Sequence, residues 1–194
     1  VEKFVRIKAV AAPLALANVN TDMVIPARYM KALTRSGLGD HLFQELRFTA
    51  DGHERDDFIL NHPTCRNAQI LIADRNFGCG SSREHAVWSL TDFGIRCIIA
   101  PSFGDIFASN ARKNGLLLIR LPDDICERLR EQVALSQYAP IDVDLQAQSI
   151  RLDTGEAIGF AIDAGDRRIL LEGLDDIDRS LRHEAAIARF EEAA

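Results

Sequence analysis

Residues able to close a metal cage are scarce in this 194-residue chain. It holds four cysteines, Cys65, Cys79, Cys97 and Cys126, and no two of them form a Cys-x-x-Cys pair. That spacing is poor for a self-contained zinc or iron–sulfur site, and His41, His53, His62 and His183 show no ligand spacing either, so no metal site is expected in this chain. A disulfide framework is equally unexpected in a chain of cytosolic character. Cys97 falls within an apolar strand and reads as core. Cys79 falls in a glycine turn where a thiol could react, but no histidine stands near it in a clear base role. Long apolar runs are also missing. Cys97 to Ala100 and Leu116 to Ile119 are far too short to cross a bilayer. Val1 to Val10 carries Glu2, Lys3, Arg6 and Lys8 and lacks the apolar stretch of a secretory signal. A cytoplasmic protein with no membrane partner is expected. Positive charge is in deficit, with 23 Lys and Arg against 29 Asp and Glu and a net charge of −6. That argues against a nucleic-acid binder, although a locally basic pocket remains compatible with it.

The sequence has no internal repeat, no low-complexity tract and no interdomain linker. With 47% hydrophobic residues it has material for one good core, read as a single domain over 1–194 with a helical tail from about 174 to 194. Phe4 to Val10 alternates apolar and charged residues, predicting a strand with one wet face. Between residues 70 and 121 the pattern is strand, helix, strand, helix, strand: Ile70 to Ala73, a helix over 82–92 ended by Gly94, Cys97 to Ala100, a helix from Asp105 to about Lys113, and Leu116 to Leu121. This βαβαβ order predicts parallel strands with covered faces. A helix follows from Asp123 to about Ser136, with Ile125, Leu129 and Val133 at helical spacing. Strands at 141–145, 149–152 and 157–162 come next, with a turn at Asp153-Thr-Gly155 and a break at Gly165-Asp166. The fold class is α/β, with a mostly parallel sheet flanked by helices.

The stretch with most chemistry in it is Asn76-Phe-Gly-Cys-Gly-Ser-Ser-Arg-Glu-His85. Gly78 and Gly80 allow a sharp turn and let the backbone come close to a ligand. Ser81 or Ser82 is expected to cap the helix that follows, and a helix N-terminus favours an anion. Arg83 adds a planar fork suited to a carboxylate or phosphate. From the residues alone this is an anion site containing hydroxyls, at the carboxyl end of a strand. A non-catalytic anion-binding module fits that description, but the chain lacks both the dinucleotide fingerprint and the P-loop lysine. Gly-Cys-Gly-Ser-Ser is also not the nucleophile elbow of a serine hydrolase.

The same stretch resembles the signature of the swivelling domain of the aconitase superfamily and, more narrowly, its isopropylmalate dehydratase small-subunit family. Further matching runs are Asn20-Thr-Asp22 with Ile25-Pro26, residues 37–43, Ala100 to Phe107, Asn110 with Asn114 to Leu117, Asp142-Val-Asp144, and Gly173 to Ile177. The resemblance covers nearly the whole chain. It implies a swivelling β/β/α fold and a large partner subunit carrying a 4Fe–4S cluster with an open iron, this chain binding none by itself. The implied reaction interconverts 2-isopropylmalate and 3-isopropylmalate by dehydration and rehydration through isopropylmaleate. Related small subunits of homoaconitase, citraconate hydratase or dimethylmaleate hydratase are the neighbouring alternatives.

Carried onto this sequence, the family pattern makes Ser81 the base and Arg83 a carboxylate grip. It places Ser82 and Gly80 against substrate and makes Arg35, in the glycine-flanked loop, a second substrate cation. An apolar pocket for the isopropyl group is expected from Tyr29, Met30 and Leu33, with Arg28 and Lys31 as nearby cations. Asp22 is expected to brace a substrate loop. His85 reads as a proton relay or a structural helix residue, and Trp88 as core or interface.

Overall fold

One extended run near the start of the chain serves two sheets. β1 (Arg6–Ala9) and β2 (Ala11–Pro13) are separated only by Val10. β1 lies within the strand predicted over Phe4 to Val10, whereas β2 lies beyond it, the chain crossing between sheets at Val10. The computed structural model describes residues 1–30, 34–81, 83–174 and 189. Lys31, Leu33, Ser82 and nearly all of the expected C-terminal helical tail lie outside the described residues.

β2 is the edge of a parallel sheet of order β2-β3-β4-β5, formed with β3 (Ile70–Ile72), β4 (Cys97–Ala100) and β5 (Leu117–Arg120). β1 opens an antiparallel sheet of order β1-β6-β7-β8, with β6 (Ile141–Asp144), β7 (Ser149–Arg151) and β8 (Ala157–Gly159). The parallel sheet flanked by helices is the one the periodicity predicts. The predicted hairpin strands form a second sheet of equal size.

Side chains alternate across each strand, so the parallel sheet has two apolar faces. Ala12, Leu71 and Ile98 pack on one face with Ala86, Val87 and Leu90 of α3 (Glu84–Phe93) and Phe107 and Ala111 of α4 (Asp105–Lys113). Ala11, Ile70, Ile72, Cys97, Ile99, Leu117 and Ile119 point the other way. They pack against Cys126, Leu129 and Val133 of α5 (Asp123–Leu135) and against Ile141, Val143 and Ile150 of the antiparallel sheet. Because both faces are covered, the strands read as unbroken apolar runs.

Among the described residues the two shortest α-helices are α1 (Thr21–Val24), whose Asn20 cap accepts from the Met23 amide at 2.9 Å, and α2 (Gln44–Arg47). Two local expectations change. Gly165-Asp166 is not a break. Both residues lie in the first turn of α6 (Ala164–Glu172), and the Asp163 carboxylate caps that turn by accepting from the Gly165 and Asp166 amides. α3 begins at Glu84 rather than 82, with Arg83 as its N-cap and no side-chain capping bond.

Candidate active site

Beyond Ile72 the chain continues past the end of the sheet and is held from both sides. Phe77 forms a parallel bridge with Phe103, and Cys79 forms one with Asn20. The Gly78 amide donates to the Val19 carbonyl at 2.7 Å, and the Thr21 amide donates to the Cys79 carbonyl at 3.0 Å. Gly78 has φ +74, and a Cβ there would lie 2.2 Å from Cγ of Phe107. Both its dihedral and its crowding therefore require glycine. At Gly80 there is room for a Cβ, 3.5 Å from that of Asn20, and it is the φ of +90 that selects glycine.

Ser81 follows, exposed, and its hydroxyl makes no hydrogen bond to any described residue. Its carbonyl accepts from the Thr21 hydroxyl at 3.0 Å. The expectation that Ser81 caps the helix is therefore corrected: two residues separate it from α3, and Arg83 occupies the cap position. Ser82 lies outside the described residues. Arg83 is largely buried, with its side chain 14% exposed, and its Nη1 donates to Oδ1 of Asp22. Its Nε and Nη2 donors have no partner among the described residues, which leaves an edge of the fork for a further anion. Asp22 is thus in direct contact with the site.

Arg35 reaches the same helix. Its guanidinium lies over the Trp88 ring, 5.2 Å from the centroid. Trp88 is half-buried, one turn after Glu84, and donates from Nε1 to the Asn114 side chain at 3.1 Å. Asn114 in turn donates to the Glu84 carboxylate at 2.9 Å. The His85 ring packs against Trp88 at 4.6 Å. The Arg35 loop is pinned to the far end of α3, where the Gly39 amide donates to Asp92 at 2.7 Å. A Cβ at Gly39 would lie 2.6 Å from the Phe93 nitrogen, which explains the second glycine of that loop. Two guanidinium groups are thereby associated with the first two turns of α3, one over Trp88 and one paired with Asp22.

The expected apolar pocket is only partly visible. The Tyr29 ring stacks on His41 at 3.7 Å, and its hydroxyl donates to Gln44 at 3.3 Å. Met30 is half-buried and belongs to neither core cluster. Among the described residues neither makes a hydrogen bond or ring contact with the turn at 78–83, and Leu33 lies outside the described residues.

Sequence reasoning undervalued Asn20, Thr21 and Asp22, which contact Cys79, Ser81 and Arg83 in that order. Asp22 was expected to brace a substrate loop, whereas Asn20 and Thr21 entered only as members of a matching run. The one local signal for more was the capping potential of Asn20 before an apolar step.

Metal ligands do not converge here. Among the described residues no three His, Cys, Asp or Glu side chains are grouped to hold an ion. Cys65, Cys97 and Cys126 are buried. Burial pushes the thiols of Cys65 and Cys126 up to about 11 and that of Cys97 higher still. Cys79 is partly exposed on the turn. Among the described residues the four cysteines are not gathered into a set that could ligate an iron–sulfur cluster. No helix among the described residues is long and apolar enough to cross a membrane.

Comparison with known proteins gives one answer at three levels. The family model for the aconitase C-terminal domain matches residues 1–124, and the LeuD_N model matches residues 127–164. A 3-isopropylmalate dehydratase small subunit from Granulibacter bethesdensis is 53% identical over 191 residues, covering 98% of this chain and 91% of that protein. One from Dinoroseobacter shibae is 50% identical over 193 residues, covering 100% and 96%. The crystal structure of a 3-isopropylmalate dehydratase (leuD) from Methanocaldococcus jannaschii shares the fold, with a TM-score of 0.69 at 24% identity over 95% of this chain and 98% of that one. The chain belongs to the aconitase C-terminal domain family and, within it, to the 3-isopropylmalate dehydratase small subunits.

Proposed function

We propose that this chain is the swivelling small subunit of a cytoplasmic hydro-lyase that interconverts 2-isopropylmalate and 3-isopropylmalate through isopropylmaleate. The observation that carries the reading is the turn at 78–83. It offers at Ser81 a hydroxyl without a hydrogen-bond partner among the described residues and, two residues on, the largely buried Arg83 held by Asp22, within a chain similar along nearly its whole length to small subunits of this enzyme.

The reaction needs a base for a proton alpha to a carboxylate, a Lewis acid for the departing hydroxide, and cations for two carboxylates. Ser81 is the base. A serine hydroxyl is a poor one, so its alkoxide needs positive charge close by, and Arg83 supplies it. Arg83 also grips one substrate carboxylate through its remaining donors, and Arg35 on its Trp88 platform takes the other. The family pattern assigns Gly80 and Ser82 to the substrate's polar groups, and Tyr29, Met30 and Leu33 to the isopropyl group. Dehydration moves the alpha proton to Ser81 and releases hydroxide, leaving the alkene. Rehydration adds hydroxide at the neighbouring carbon and returns the proton.

The small-subunit designation of the relatives implies a larger partner. That partner carries the 4Fe–4S cluster, which supplies the Lewis acid. The discriminating experiment is a substrate panel on the chain reconstituted with its large subunit. kcat/KM is expected to be highest for 2-isopropylmalate. A preference for homoaconitate, citraconate or dimethylmaleate would move the chain to a sister activity.

A further inference from the structure

We infer that Thr21 is a positioning residue for the Ser81 base, an assignment that rests on the reading of Ser81 given above. Ser81 stands in a place where precision is hard to obtain. It is exposed, it follows a glycine at φ +90, and no helix cap holds its side chain. A hydroxyl that must meet one carbon-bound proton loses rate steeply when displaced, by up to about 100-fold for 1 Å. Something other than the turn itself must fix it.

Thr21 is the residue placed to do so. It is 2% exposed, at the start of α1, which Asn20 caps. Its amide donates to the Cys79 carbonyl at 3.0 Å and its hydroxyl donates to the Ser81 carbonyl at 3.0 Å. One residue thus spans both sides of Gly80, the most permissive point of the turn. Its β-branched side chain has few χ1 options, so the donor is itself oriented. The bond goes to the Ser81 backbone and leaves the Ser81 hydroxyl uncommitted, as a base requires. Asp22, the next residue, holds Arg83, so base and carboxylate grip are referred to one short rigid element.

The test uses the holoenzyme reconstituted from this chain and its large subunit. Thr21→Val keeps the shape and removes the donor. It is expected to lower kcat about 10- to 100-fold with KM and affinity for the large subunit within about twofold, and Thr21→Ser to restore most of the lost kcat. An unchanged kcat in Thr21→Val, a failure of Thr21→Ser to rescue, or a loss confined to subunit affinity overturns the assignment. If Thr21→Val does not fold, Thr21→Cys carries the comparison: a weak donor of similar size should give an intermediate kcat, and a wild-type kcat overturns the assignment. Ser81→Ala run alongside separates the two ideas. Inactive Ser81→Ala with fully active Thr21→Val rejects the positioning role alone, whereas active Ser81→Ala rejects the base itself.

Discussion

The turn at 78–83 and the turn at 153–155 both depend on glycine, but they are held in different ways. Around Gly155 the contacts are local. Its amide donates to the Leu152 carbonyl at 3.0 Å, the Leu152 amide donates to Glu156 at 2.9 Å, and a Cβ on Gly155 would meet nothing. It is a hairpin turn that closes on itself. Around Gly78 and Gly80 the partners are Val19, Asn20, Thr21, Asp22, Phe103 and Phe107, from two distant parts of the chain. A turn needed only to reverse the chain can be specified by neighbouring residues. A turn that must present a hydroxyl and a guanidinium in a fixed relation is specified from outside.

The sharpest way to break that contrast is at the chemistry itself. Ser81→Ala should leave folding and subunit affinity intact and lower the kcat of the reconstituted enzyme by about 100- to 10,000-fold, the range for loss of a general base. Wild-type turnover in this variant would remove Ser81 from the mechanism. Gly78→Ala comes next. An alanine there needs a left-handed dihedral and displaces the Phe107 ring, costing about 2–5 kcal/mol in a urea melt. Gly155→Ala, with the same class of dihedral but open space, should cost only about 1–2 kcal/mol. Equal losses at the two glycines would contradict the distinction between crowded and open turns. Arg83→Lys keeps the charge and loses the fork shared between Asp22 and substrate, so KM should rise roughly 10-fold, by about 1.4 kcal/mol, with stability little changed.

The smallest effect belongs to the scaffold. A hydrogen bond from the Arg6 guanidinium holds the Asp142 carboxyl below its usual range. A carboxyl lowered in the folded state stabilises the protein above its unfolded pKa and ceases to do so as the pH falls through the folded value. Stability should therefore fall below about pH 4. Arg6→Ala should flatten that acid limb slightly in urea melts at pH 6 and pH 3 and leave activity at neutral pH unchanged.

How far the sequence revealed all this follows from the same contrast. The βαβαβ core was legible because each strand is an unbroken apolar run between helices of clear periodicity, and Gly94 and Asn114-Gly115 mark the helix ends. That Gly78 and Gly80 form a turn leading through Ser81 and Arg83 into a helix was legible from composition and spacing. What could not be read locally is the register of Asn20–Asp22 against Cys79–Arg83. Thr21 and Ser81 are 60 residues apart, and Asp22 and Arg83 are 61 apart. No propensity encodes such a pairing. The serine cap was misplaced for a related reason: a turn drawn towards Thr21 leaves Arg83, not a serine, at the helix start. Reading Gly165-Asp166 as a break failed more simply, because a cap by Asp163 allows glycine into a first helical turn.

On the function proposed above, this chain is half a site: the base and carboxylate grips lie here, and the Lewis acid lies on another subunit. The most direct test follows conversion of 2-isopropylmalate by the purified chain as the cluster-bearing large subunit is titrated in. No turnover is predicted from either subunit alone, with activity rising to saturation as they combine. Turnover by this chain without its partner would contradict the claim.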